Sequence, residues 1–306
     1  MVPRQARRIK FFPKIPRHIL WENIWAYLFL LPSLIGLIGL TLLPILASFG
    51  LSFTDWDALG TPNFVGFKNV ITLLQDPVFW QALSNTTYFT VVSVPVGMAL
   101  SLLLAIALNR SLWAMGFYRT IFLIPVISST VATALLWGLM MDPYIGLLNY
   151  LLSLVHVHPL GWLTDAHLAM PAIIVISIWK GLGYNMVLFL AGLQGIPTEM
   201  YEAARIDGAT RIREFLHVTL PMLTPTIFFV LVITMISSFQ VFDQTYILTK
   251  GGPQNSTITL VYYVYQTGFQ QLRMGYASAM AYVLFIITLV VVLIQWKTQG
   301  RWVFYQ

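Results

Sequence analysis

Six stretches of this chain are apolar for long enough to cross a lipid bilayer, and that constrains its fold more than anything else in the sequence. A helical crossing needs roughly 20 predominantly apolar residues. Such runs occupy about 24–52, 83–108, 120–141, 169–193, 221–248 and 275–296. They are unbroken, whereas the strands of a membrane barrel would be short and alternate with period two. Charged residues make up only 9% of the chain and hydrophobic ones 58%, against about a quarter charged in an average soluble domain. The expected fold is an all-α integral membrane protein with six transmembrane helices over 24–297. A basic tail at 1–23 precedes them and a short tail at 298–306 follows.

Lys and Arg set the orientation, because the cytoplasmic loops of membrane proteins are enriched in them. Six crossings put both termini on one side. That side holds the N-terminal tail (Arg4, Arg7, Arg8, Lys10, Lys14, Arg17), Arg110 and Arg119, then Arg205, Arg211 and Arg213, and finally Lys297 and Arg301. Together these are 13 of the 17 basic residues. The opposite loops hold Lys68, Lys250 and Arg273 beside Asp55, Asp57, Asp76, Asp142 and Asp165. Both termini are therefore expected in the cytoplasm. The net charge of +6 is explained by topology, and no nucleic-acid partner is expected. The first apolar run is longer than a signal-peptide core and lacks a clear small-residue cleavage site, so it reads as an uncleaved first span. Trp21, Trp25, Trp162 and Trp302 read as anchors at the membrane interface.

Several chemistries find no residues to carry them. The chain has no cysteine, which removes disulfides, thiolate metal sites and cysteine nucleophiles. It has no G-x-x-x-x-G-K-[ST] loop for nucleotide phosphates, no Gly-x-Ser-x-Gly and no His-Glu-x-x-His. His156 and His158 are spaced like a metal pair but have no other ligand type nearby, so they read as ordinary interfacial histidines. Neither a metal nor an enzymatic activity is expected.

One loop stands apart. Residues 197–221 read PTEMYEAARIDGATRIREFLHVTLP, a charged and punctuated stretch between two apolar walls. Pro197 cannot donate to a continuing helix. Thr198 is a good N-cap, and Glu199 sits in the first turn, where the helix dipole favours an anion. A short helix is expected over about 199–206, stopped by Asp207–Gly208, where glycine supplies the left-handed residue that helix ends favour. A second helical piece is expected from near Thr210 to Leu220–Pro221. Ala203, Ala204 and Gly208 form a low ridge flanked by Glu202, Arg205, Arg211 and Arg213. Physical reasoning alone leaves two readings open, a solvated connector or a docking knob for a cytoplasmic partner.

The stretch EAARIDGATRIREFLHVTLP resembles the EAA motif, E-A-A-x3-G-x9-I-x-L-P, of permease subunits in binding-protein-dependent ABC importers. Glu202, Ala203, Ala204, Gly208, Leu220 and Pro221 match at the motif's spacing, and Val218 stands where Ile is usual. FVGFKNV at 64–70, WKGLGYNMVLFLAGLQGIP at 179–197, FQVFDQTYILTKGGP at 239–253 and RMGYASAMAY at 273–282 are similar to the sugar-transporting branch, the maltose and glycerol-3-phosphate permeases in particular. The resemblance implies a type I importer permease fold in a bacterial inner membrane. It implies a coupling loop at 197–213, in which Glu202, Ala203, Ala204, Arg205, Asp207 and Gly208 engage an ATPase subunit. It implies as partners a second homologous permease, two ATPase subunits that bind the ATP and Mg, and an extracytoplasmic solute-binding protein.

Polar residues inside spans are the candidates for solute contact. The fourth run carries Ser177, Lys180, Gly181, Tyr184 and Asn185. The fifth carries Thr234, Ser237, Ser238, Gln240, Asp243, Gln244 and Tyr246. A charge near mid-bilayer costs roughly 2.5–3.5 kcal/mol, so Lys180 needs compensation. Three readings remain open for it: an ion pair with Asp243, a shared water-filled cavity, or snorkelling to an interface. Carried over from the maltose-type permease, substrate contacts fall on Ser177, Lys180, Gly181, Tyr184, Thr234, Ser237, Ser238 and Val241. Amides, hydroxyls and aromatic rings suit a sugar, oligosaccharide or polyol. The alternative is an ATP-independent secondary transporter or channel, which would show inverted repeats and paired acidic residues for ion coupling.

Overall fold

The computed structural model describes residues 17–109 and 115–304. The basic residues expected at positions 4–14 and Arg110 lie outside the described residues. The chain divides into two units, 1–50 and 51–306. In the first, α1 (Trp21–Leu51) is a helix of 31 residues, apolar enough to cross a bilayer. It contains a wider π-helical stretch at Leu37–Leu42.

The second unit opens with a two-residue antiparallel pair, in which Thr54 faces Phe64 and Asp55 faces Asn63. Helix α2 (Lys68–Gln75) follows, then α3 (Pro77–Leu108). Asp76 caps α3 by accepting from the Val78 N–H at 2.9 Å, and Pro77 starts the helix where a missing N–H costs nothing. Next come α4 (Met115–Ile127), α5 (Thr130–Met140) and α6 (Leu147–Leu154). Then α7 (Ala169–Gln194) leads to the short α8 (Thr198–Ile206). The long α9 (Arg211–Phe239) follows. After it the chain turns through a π-helical piece at Thr245–Thr249, α10 (Leu260–Tyr265) and a second π-helical piece at Gln266–Gln270. The last helix is α11 (Met274–Gln299).

Five of these helices are long and apolar enough to span a membrane: α1, α3, α7, α9 and α11. The third expected span, 120–141, is not straight. It is broken at Ser128–Ser129 into α4 and α5, which meet at 96°. The fifth expected span is also corrected. It starts at Arg211, ten residues before the expected Pro221, and ends at Phe239, not 248. The anticipated helix–turn–helix is therefore one short helix followed by the first turns of a span. The chain passes through a π-helical stretch at Phe215–Thr219 and continues across Pro221 and Pro225. Such prolines are tolerated in membrane helices because local widening and neighbouring groups satisfy the freed carbonyls.

Helix α3 packs along α7, and α4 and α9 lie against the same pair. Ser101 on α3 donates its hydroxyl to the Leu182 carbonyl at 3.1 Å. Where α4 crosses α7, the partner residue has to be glycine: a Cβ on Gly183 would stand 1.9 Å from the Phe122 carbonyl oxygen. An apolar core of Met98, Met186, Phe189, Leu193 and Leu223 fills the end of the unit that bears α8. A second, of Leu73, Phe79, Ile258, Leu260 and Met280, fills the opposite end. There the Asp76 carboxylate also accepts the hydroxyls of Tyr263 at 2.6 Å and Tyr276 at 2.7 Å, joining α3, α10 and α11 at one point. Two of the tryptophans expected at the interface also make internal contacts: Trp162 donates to Asn149 Oδ1 at 3.0 Å, and Trp302 packs edge-on against Phe228.

Candidate functional site

Between α3, α7 and α9 lies a cavity of about 320 Å³. Helix α7 contributes Ser177, Gly181 and Asn185, spaced four apart so that they share one face. Helix α9 contributes Thr234, Ser237 and Ser238, and the turn after it contributes Gln240, Val241, Asp243 and Gln244. Nine of the expected solute-contact positions, and Thr234 with them, are thus brought to one space. Asp243 and Gln244 reach it from beyond the helix end, not from within a span.

The hydroxyls differ in their commitments. Ser238 Oγ donates to the Met235 carbonyl at 2.8 Å, and Thr234 Oγ1 donates to the Val230 carbonyl. Both keep lone pairs to offer a ligand donor. Ser177 lines the cavity, but its Oγ is buried and has no hydrogen-bond partner among the described residues. A buried hydroxyl left unpaired costs about 1–3 kcal/mol, and rotation of the side chain into the cavity would let a polar guest relieve it.

Lys180 and Tyr184 do not line the cavity. The Lys180 ammonium donates to the carbonyls of Ser128 at 2.9 Å and Pro125 at 3.2 Å. These carbonyls belong to the end of α4, where the break leaves them without helical donors. Of the three readings open for Lys180, none describes this. It closes the broken end of α4 as a side-chain cap, and among the described residues the ion pair seen is Arg205–Glu214, not Lys180–Asp243. Tyr184 is not among the lining residues and is 46% exposed.

The sequence reading missed the α3 wall: Phe89, Ser93, Val94 and Gly97 complete the lining. A signal was present, since Thr86, Thr90, Ser93 and Ser101 punctuate this run at helical spacing.

A second locus sits at the other end of α7. In α8, Glu202, Ala203, Arg205, Asp207 and Gly208 are exposed and Ala204 is half-buried. Pro197 takes the N-cap position, and Thr198 is the first helical residue with no side-chain cap. Gly208 ends the element at φ +76°, the Gly208 N–H bonding to the Arg205 carbonyl and the Ala209 N–H to the Ala204 carbonyl. No heavy atom lies within 4 Å of where its Cβ would be, so the backbone angle, not space, selects glycine here. Arg205 Nε bonds Glu214 Oε1 at 2.9 Å, and the Tyr201 and Thr219 hydroxyls meet at 3.1 Å. Both contacts tie α8 to the first turns of α9. Ile206 is 87% exposed and Ile212 72%, leaving two large apolar side chains projecting beside the ridge.

Comparison with known proteins extends over nearly the whole chain. The family model described as binding-protein-dependent transport system inner membrane component matches residues 94–298. The chain is 37% identical over 309 aligned positions to the arabinooligosaccharides transport system permease protein AraP of Bacillus subtilis (strain 168), covering 98% of each. It is 38% identical over 281 positions to the lactose transport system permease protein LacF of Rhizobium radiobacter, covering 90% of this chain and 94% of that one. Among solved structures, a chain of a bacterial alginate ABC transporter, crystallised in complex with an alginate pentasaccharide-bound periplasmic protein, superposes with a TM-score of 0.84. The match spans 93% of this chain and 96% of that one, at 27% identity.

Proposed function

The chain belongs to the family of binding-protein-dependent transport system inner membrane components, and from that premise we propose that it is one permease half of an ATP-driven importer of neutral saccharides. Relatives named for arabinooligosaccharides and lactose support the substrate class. The observation that carries it in this chain is the cavity lining. Hydroxyls and amides from three helices converge there, and Ser177 Oγ lacks a partner. A desolvated sugar hydroxyl needs a partner for each of its polar groups, and this wall supplies both donors and acceptors. The one ionisable group in the lining is Asp243. With Lys180 turned to the end of α4, no cation among the described residues lines the space to favour an anionic solute.

The power source is separate. In this reading both termini and α8 face the cytoplasm of a bacterial cell, and α8 sits in a cleft of one of two ATPase subunits that bind ATP and Mg. Glu202, Ala203, Ala204, Asp207 and Gly208 make the contact surface. The projecting Ile206 and Ile212 support docking, because large exposed apolar groups outside the bilayer mark interaction sites. Arg205 holds Glu214 and so carries movement of α8 into α9, whose far end borders the cavity. A solute-binding protein delivers to the outer loops 54–80, 142–168 and 249–274, and a second homologous permease closes the cavity from the other side. ATP-driven closure of the ATPases then rocks the two permeases between inward-facing and outward-facing forms.

The test uses the absence of cysteine. Ala203→Cys in the assembled complex is expected to cross-link to a cysteine placed in the ATPase cleft, and the complex in vesicles to take up saccharide only with ATP. Uptake by this chain alone, without ATP, would sink the reading.

A further inference from the structure

Phe242, on the cavity wall, is the first of a continuous series of rings that runs outward through the segment between α9 and α11. It stacks on Tyr246 with centroids 5.3 Å apart and planes 14° from parallel. Tyr246 meets Tyr265 edge to face at 5.3 Å, and Tyr265 stacks on Phe269 at 5.7 Å. Tyr262 backs Phe242 and Tyr246, 6.3 Å from each, and is itself buried.

A cluster that served packing alone would cover its rings. Here Tyr246 is 37% exposed and Phe269 65%. Nor does the surround suit lipid. The outer end of the series runs into Gln270 and Gln271, whose amides are exposed. The hydroxyls of Tyr246 and Tyr265 lie in hydrogen-bonding contact, and this contact raises the Tyr246 pKa. The inner end opens on the polar wall of Gln240, Asp243 and Gln244. Polar edges with open aromatic faces match a molecule that has an apolar face and a polar rim.

We propose that Phe269, Tyr246 and Phe242 form an entry track on which saccharide rings rest between the binding protein and the cavity. A pyranose or furanose lays its C–H face against an aromatic ring, whose negative face attracts the polarised hydrogens. Its equatorial hydroxyls meanwhile reach the Tyr246 and Tyr265 hydroxyls and the glutamine amides. Because the rings follow one another, a chain of several sugars covers more of the track than a single sugar does. The track therefore selects for length. This rests on the saccharide-importer reading above.

The experiment measures ATP-driven uptake by the reconstituted complex, with its binding protein, of arabinose- and glucose-based saccharides from mono- to pentasaccharide. Phe269→Ala and Tyr246→Leu are each expected to raise KM for the longer saccharides about fivefold, the value of one ring contact, and to change it little for the monosaccharides. Tyr246→Phe, which keeps the ring and loses one hydroxyl contact, is expected to fall between the parent and Tyr246→Leu. Phe269 is exposed, so its removal leaves the core intact and decides the matter even if the Tyr246 variants assemble poorly. Parent-like KM values for every length in Phe269→Ala, while the parent complex imports saccharide, would overturn the track and leave the importer standing. If the parent complex imports no saccharide of any length, track and importer reading fall together.

Discussion

Replacing Lys180 with methionine separates two roles for the membrane-embedded cation. Its ammonium donates to the Pro125 and Ser128 carbonyls, and a hydrogen bond to a charged group is worth about 1.5–3 kcal/mol. Two of them lost give about 3–6 kcal/mol. Against this stands the roughly 2.5–3.5 kcal/mol that insertion of the charge itself costs. The net destabilisation of Lys180→Met is therefore modest, at most about 3.5 kcal/mol, and the local effect is larger than the global one. The end of α4 loses its cap, so the break at Ser128 loosens. In the cysteine-free background, Ser128→Cys reports this directly. Its labelling by a maleimide is expected to quicken severalfold when Lys180→Met is added, with uptake of neutral saccharide reduced but not abolished. Lys180→Arg, which keeps the charge and the donors, is expected to restore slow labelling. Unchanged labelling together with complete loss of saccharide uptake would refute the reasoning and return Lys180 to the solute.

Gly208→Val forces a β-branched residue to φ +76°, a strain of about 1–3 kcal/mol. Uptake is expected to vanish while the amount of chain in the membrane fraction holds, and loss from the membrane instead would make the loop's role structural. Asp76 gives a pH signature. Burial pushes its carboxyl up, but the Tyr263 and Tyr276 hydroxyls and the Val78 N–H outweigh that and hold it below its ordinary value. A depressed folded pKa means that the stabilisation is fully present above the unfolded value, near 3.9, and is lost as pH falls through the folded one. The thermal midpoint is expected to show no Asp76 contribution to pH dependence between pH 5 and 8. Asp76→Asn should destabilise the fold at every pH in that range by about 1–2 kcal/mol, discounted because the site is partly solvated, and the midpoint should fall accordingly.

The membrane class and most of the spans were legible because apolar length is a local property. So was the end of α8, since Asp207–Gly208 states its own backbone geometry. The departures share a cause, which is contact between distant segments. Nothing near Ser128 announces a 96° bend: Pro125 is the lone marker, and the group that satisfies the break comes from α7. Pro221 looked like a boundary, yet the π-helical stretch before it carries the helix through. Of the candidate site, the faces of α7 and α9 could be read from their polar residues. The α3 wall is half apolar and becomes a wall only where α7 packs along it, with Ile178 of α7 at ordinary contact distance from a Cβ at Gly97, 3.7 Å. Lys180 and Tyr184 sit on the same helix as Ser177 and Gly181 but turn to other neighbours, which sequence spacing alone does not resolve.

The cap on α4 also dictates an order of assembly. Lys180 follows Ser128 by 52 positions, so a growing chain presents the two exposed carbonyls to the membrane before their donor has been synthesised. Until α7 arrives, a straight helix over α4 and α5 would satisfy those carbonyls by itself. Its bend is then a late event, made as α7 slides in beside it. A chain truncated ahead of Ala169 would hold a third segment of a different shape from the finished protein's.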